Sequence, residues 1–512
     1  MERAFPWLVG LLVVFPFASA GAVEPSDLLL APIAAALQAD GNAPASSCLA
    51  PVVDPKLKVL GARSCAASAC HGNVEPDTRG GVRRNEYIVW LEKDPHADAF
   101  ESLQAPLGLQ ILDNLGIRKE DAIVDRAAYR ECLACHSLEP STEFEGESFV
   151  IHDGVSCESC HGPAEKWRAL HYRTDWDPKK AASLGRVDTK NLLTRAYVCA
   201  SCHVGSSTRQ VTHDMLAAGH PPLRFELSSY LDMMPKHWRD SRERKAKPNF
   251  ELAVWRAGQI ASAEAALAVL ESRAAGALAD SQRAVWPEFA QFDCFACHHE
   301  LSSPSWRQAR GYADRSPGSP AWGTWYFTAL PSLAGEASSG PAAALLTGSL
   351  ADLKKTMNGR AAFDPKVAGG QAAATRQSLC DWATARREGD ASRDLGRAAT
   401  DIVSRLVEPG AADASSQPPA LENWETATQA YLIAAAIDRA YRDEAGKSNR
   451  ALTAADRQTT ESVKRLRELL AFPDGYSSPR NFGAGSDGGS QRDEFHAAMI
   501  EVVKQLKARQ ER

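Results

Sequence analysis

Residues 157–161 read Cys157-Glu158-Ser159-Cys160-His161. Two thiols three positions apart fall on one side of a helical turn, and the next imidazole is set beside them. This is the attachment pattern of c-type haem, in which the thiols form thioethers with the two vinyl groups and the histidine takes the iron from the proximal side. The pattern recurs at Cys132-Leu133-Ala134-Cys135-His136, Cys199-Ala200-Ser201-Cys202-His203 and Cys294-Phe295-Ala296-Cys297-His298. With 12 cysteines and 13 histidines in 512 residues, random placement yields only roughly 0.01 matches. A wider version precedes them at Cys65-Ala66-Ala67-Ser68-Ala69-Cys70-His71, and by comparison with the other four it reads as a fifth site. Cysteine pairs at this spacing also serve zinc and disulfides, but a histidine after every pair disfavours both.

The N-terminus sets the expected compartment. Met1 to Trp7 precede the apolar run Leu8 to Phe17, followed by Ala18-Ser19-Ala20. This has the order of a secretory signal peptide cleaved after Ala20, and the apolar run falls short of the ~20 residues needed to cross a bilayer. Thioether attachment outside the cytoplasmic membrane requires such a signal, so a periplasmic protein is expected, with no integral membrane segment after cleavage. The formal net charge is −6, and no basic tract predicts a nucleic-acid partner.

Ten of the twelve cysteines lie between Cys65 and Cys297. A segment this short cannot build a separate apolar core around each of five haems, so closely stacked macrocycles are expected to supply much of the core. The fold class expected is mainly α, with short helices and long loops around the haems, followed by a haem-free helical domain. The expected boundaries are 1–20 for the signal peptide, 21–60 for a lead with helical character at Asp27–Gln38, 61–305 for the haem domain and 306–512 for the helical domain. From Asn249 to about Leu278, Leu252, Trp255, Ile260, Ala263, Leu267 and Leu270 recur at helical spacing and predict a long amphipathic helix. Leu395, Ile402 and Leu406 share a face before Pro409-Gly410, and Trp424, Ile433, Ile437 and Tyr441 mark another helix. A third is expected from Ala454 to Leu470 with Thr453 as its cap, and a last one at the C-terminus. Cys48 and Cys380 are left over, to pair with each other or to stay buried as small apolar residues.

The motif contexts resemble the cytochrome c-554-type multihaem cytochromes. The matching stretches are Ser64 to Gly72, Asp94-Pro95-His96-Ala97, Gly154-Val155-Ser156 through Cys157–His161 to Gly162-Pro163, and His213 to Pro221. The resemblance covers roughly residues 60–305 and implies electron transfer. The fifth haem, the wide Cys65/Cys70 spacing and the long C-terminal half depart from the tetrahaem pattern.

Whether such a protein conducts or catalyses depends on the distal side of each iron. An iron between two imidazoles is saturated and suited to electron transfer, whereas one lacking a distal ligand can bind a substrate. His71, His136, His161, His203 and His298 are proximal by motif. Of the other eight histidines, His96, His171, His213 and His220 rank first as distal ligands, because each lies in a context like the resembled family. His213 and His220 are two helical turns apart. His152 follows, then His237 and His299, while His496 reads as a surface histidine. The main expectation is a periplasmic electron-transfer cytochrome carrying about five covalent haem c groups, mostly bis-histidine, that exchanges electrons with redox partner proteins. The competing reading is an oxidoreductase of a small nitrogen or sulfur compound at a five-coordinate haem, with the Cys65–His71 haem as the candidate and Arg83, Arg84 and Tyr87 nearby to bind an anion. Every attachment motif ends in His, so the proximal Lys typical of pentahaem nitrite reductases is absent.

Overall fold

In the computed structural model the described residues are 47–511, apart from 79–81, 118–128, 178–179, 281–283, 299–314, 316–317, 337–339, 387–394, 409–417, 473, 475–478, 480–481 and 483–490. All of them lie within one unit, Pro44–Arg512. The expected signal peptide, the Asp27–Gln38 helix, His299 and the Pro409-Gly410 stop lie outside the described residues.

The protein is mainly helical, and no strand occurs among the described residues. Short helices come first: α1 Glu86–Lys93, α2 Ala99–Ser102, α3 Pro106–Asn114, α4 Arg130–His136, α5 Cys157–His161, α6 Leu192–His203, α7 His213–Ala218, α8 Leu227–Met233 and α9 Ser241–Ala246. The longest helix, α10, runs Phe250–Ala279, and α11 is the single turn Cys294–Cys297. Longer helices complete the chain: α12 Leu330–Glu336, α13 Pro341–Met357, α14 Pro365–Arg386, α15 Leu395–Val407, α16 Trp424–Lys447, α17 Ala454–Leu470 and α18 Gln491–Gln510.

Helix α10 is the spine of the fold. The stripe expected from sequence is buried, and so are residues on its other faces, among them Val254, Ala257, Ala261 and Ala265. A helix apolar all round has neighbours all round. It packs on α6, which ends in the third regular attachment motif, and on α14, α16 and α8. Close approach is possible because the contact residues are small. A Cβ on Gly258 would stand 2.6 Å from the Leu227 Cβ, and one on Gly369 would stand 2.7 Å from the Ala274 Cβ. The α10–α14 contact also holds a buried ionic group, in which Arg376 reaches Glu264 at 3.4 Å and Glu271 at 2.8 Å. A disulfide joins Cys48 to Cys380 in α14, so of the two outcomes open to these cysteines the pairing is the one realised.

The remaining helices form the far side of the core. α18 packs on α17 and α15, and α16 packs on α17 and α15. Asn423 and Thr426 close a capping box at α16, while Thr453 and Asp456 close one at α17; Thr453 is therefore the cap its position predicts. One apolar cluster, joined by Leu49 near the start of the described chain, runs from Leu192 to Leu506 through these elements. The first part of the chain is built differently. Its separate apolar clusters are small, one around Phe100, Leu103, Leu112, Tyr129 and Leu133 and one around Ala62, Trp90 and Ala97.

Candidate functional site

The attachment motifs sit where a single helical turn gathers their side chains. Cys132–His136 closes α4, Cys157–His161 is α5, and Cys199–His203 closes α6. Cys294–Cys297 is α11, capped by the Asp293 side chain, which accepts the Phe295 amide at 2.9 Å. The wider motif begins in a 3-10 turn, Ala62–Cys65, and continues without helix to His71.

Each motif histidine meets one histidine from elsewhere in the chain. His71 lies 6.1 Å from His171, His203 5.9 Å from His96, and His136 6.4 Å from His220, measured between ring centroids. His161 lies 6.4 Å from His237, and His298 lies 6.3 Å from His213. Two imidazoles bound to one iron at about 2 Å per bond have centroids about 6 Å apart. The five pairs therefore fit an iron between each two rings. The small apolar clusters of residues 57–190 fit as well, since macrocycles would provide the core that these residues do not.

Four of the five partner histidines are the four ranked first from sequence. The fifth is His237 and not His152. His152 sits in the 3-10 turn Ile151–Asp153, and its ring stacks on Phe100 at 4.2 Å, so it meets none of the described motif histidines. Local packing into an aromatic cluster takes it away from the site. His237 follows Lys236 with no motif around it, and only its position opposite His161 marks it. His496 is half-buried and its Nε2 bonds to the Val407 carbonyl at 2.9 Å.

A second set of contacts fixes the rings. Nδ1 of His96 bonds to Asp94 at 2.8 Å, and Nδ1 of His71 bonds to Glu86 at 3.1 Å. Nδ1 of His136, His171 and His220 bonds to the carbonyls of Ala99, Arg168 and Pro221 at 2.9, 2.7 and 2.8 Å. Holding the proton on Nδ1 leaves the Nε2 lone pair for a metal. Burial favours the same neutral form, pushing His161 down to about 3 and His203 down to about 4, with repulsion from His237 and His96 respectively adding to it. His71 and His96 are raised instead, by the hydrogen bonds that their Nδ1–H groups donate to Glu86 and Asp94.

The thiols also show which attachment sites are neighbours. The Cys65 and Cys157 thiols lie close enough to shift each other's proton affinity, as do those of Cys135 and Cys202, and Cys160 is pushed up in part by Cys199 and Cys202. Glu158 of the second regular motif is buried and takes three backbone amides, from Leu60 at 2.9 Å, Gly61 at 2.7 Å and Ala164 at 2.7 Å. Gly154, at φ +61°, lets the loop before this motif lie against the His96 loop, where a Cβ would stand 2.7 Å from the His96 carbonyl. The alternative anion site has its cations engaged: Arg83 donates to the Lys236 carbonyl at 2.8 Å, and Arg84 lies 3.7 Å from Asp77.

An open cleft of about 880 Å³, part of it solvent, lies beside Cys294. Its wall includes Phe292, Trp325, Arg224, Arg273 and Glu425, so the C-terminal half contributes directly to the surroundings of the last motif.

Cysteine-pair motifs, each ending in a histidine that meets a second imidazole, have the form of c-type haem attachment sites. Residues 64–162 match the family of cytochrome c554 and c-prime, and this segment is of that type. The family carries covalently bound haem c and acts in electron transfer. No curated protein and no solved structure matches the chain. No helix among the described residues is long and apolar enough to cross a membrane.

Proposed function

We propose that the protein is a periplasmic five-haem electron-transfer cytochrome. Cys65/Cys70, Cys132/Cys135, Cys157/Cys160, Cys199/Cys202 and Cys294/Cys297 attach the haems. The irons are held by His71 with His171, His136 with His220, His161 with His237, His203 with His96, and His298 with His213. The observation that carries this reading is the set of five imidazole pairs at 5.9 to 6.4 Å. A bound haem supplies a site that accepts one electron and passes it on.

The chain's own residues tune and insulate that transfer. Two imidazoles leave no position for substrate, so the protein conducts rather than catalyses. The adjacent sulfurs of Cys65 and Cys157, and of Cys135 and Cys202, support haems packed closely enough to exchange electrons internally. The domain division at 305/306 and the cleaved signal peptide belong to the same proposal. The haem-free helices support the electron-carrying half through α10, and redox partner proteins supply and remove the electrons.

Intact-mass spectrometry of the exported protein tests this. Each covalent haem adds about 616 Da, so five are expected on a chain lacking residues 1–20. Four haems would remove the wide Cys65–His71 motif from the set.

A further inference from the structure

The cleft beside Cys294 is lined by an acidic side chain that plays no part in attachment or ligation. Glu425 is in the first turn of α16 and is only 6% exposed. Its carboxylate accepts the Thr324 amide at 3.0 Å and also the Trp325 amide. From the α11 side it faces Asp293, itself 2% exposed and directly before Cys294. From the segment before α8 it faces Arg224, whose guanidinium lies over Phe295 at 5.3 Å and Trp424 at 5.2 Å. From the segment before α12 it faces Tyr326, whose hydroxyl donates to the Leu223 carbonyl at 2.7 Å. Arg273, elsewhere on the same wall, is committed to Gln210 and the Val211 carbonyl.

Two buried carboxylates, Glu425 and Asp293, therefore act on each other beside the last attachment site, with the Arg224 guanidinium opposing their effect on Glu425. Groups arranged in this way resist being ionised together. Burial, and then repulsion by Asp293, push Glu425 up to about 7, with Arg224 opposing them. A further negative charge placed in the cleft acts on Glu425 in the same direction, through a wall of low dielectric.

We propose that Glu425 is a redox-linked proton site for the haem attached at Cys294 and Cys297. When that iron gains one electron from an external donor, the Glu425 carboxylate takes one proton from solvent. An O–H bond forms as ferric iron becomes ferrous, and the net charge of the cleft is unchanged. Oxidation reverses both changes. By linkage, protonation favours the reduced form, so the potential falls as pH rises.

This inference rests on a haem at Cys294, and intact mass reports that independently. Its test is a spectroelectrochemical titration of the full haem-loaded protein at several pH values between about 6 and 8. One component of the wild type is expected to change by up to tenfold in its reduction equilibrium per pH unit, about 59 mV for one electron. In Glu425→Gln that component should become independent of pH, whatever its absolute potential. An unchanged slope in a correctly loaded Glu425→Gln protein would overturn the proposal. Should the variant not fold, infrared difference spectra of wild-type protein labelled with 13C-glutamate decide. A label-sensitive carboxyl band gained on reduction supports the site, and its absence overturns it.

Discussion

His161 and His237 face each other at 6.4 Å with their rings crossed at 78°, although one belongs to an attachment motif and the other to a loop with no motif at all. Both are half-buried, and desolvation lowers the proton affinity of each. Their meeting is a tertiary event, made by the loop that carries Lys236 and Trp238 as it closes over α5. It is also the contact that separates this structure from the ligand set expected from local sequence context.

His237→Met should replace one bis-imidazole iron with a histidine–methionine one and raise its potential, since thioether ligation favours the ferrous state. His152→Met should leave every potential in place, because His152 packs on Phe100. Low-spin EPR signals with potentiometry on both variants check the pair. A ligand change in His152→Met would reverse the assignment.

The Asp94 and Glu86 carboxylates make His96 and His71 more basic ligands than the histidines bonded to backbone carbonyls, and more basic ligands stabilise ferric iron. Asp94→Asn should therefore raise the potential of the haem between His96 and His203. A tenfold change in its one-electron equilibrium, about 59 mV, is the scale expected from losing such a partner. Glu86→Gln should act the same way at His71.

Glu158 satisfies three amides from a buried position. Glu158→Gln keeps the shape but turns an NH2 group towards backbone donors, and the loss expected is about 2 kcal/mol. Thermal unfolding of the loaded protein measures it, and the haem spectrum should be unchanged below the transition.

The Cys48–Cys380 disulfide ties the chain before the first motif to α14. Replacing both cysteines by serine should cost about 2–5 kcal/mol of stability without altering haem content. Denaturant unfolding together with intact mass separates the two effects.

What the sequence discloses and what it hides divide along physical lines. Attachment motifs are local, because one helical turn gathers thiols and imidazole, so a motif of this kind is legible from spacing alone. The C-terminal helices are legible for the same reason: α15, α16 and α17 follow from periodicity, and the Thr453 cap is one residue long in its signal. The histidines that face the motif imidazoles obey no local rule. His96, His171, His213 and His220 are reachable only through the contexts around them, and Asp94 is visible within one of those contexts as Asp94-Pro95-His96. His237 has no such context; a count of five irons asks for one more partner but does not say which. The burial of Glu425 beside Cys294 depends on how α16 meets α11, which no spacing encodes.

The most direct test of the central claim is near-infrared magnetic circular dichroism of the fully oxidised protein, normalised to iron. Five irons each held by two imidazoles predict bis-histidine charge-transfer intensity equal to five haems per chain, with no high-spin band. Intensity for four or fewer, or a high-spin band at any pH near neutrality, would contradict the account and point to an iron open to substrate.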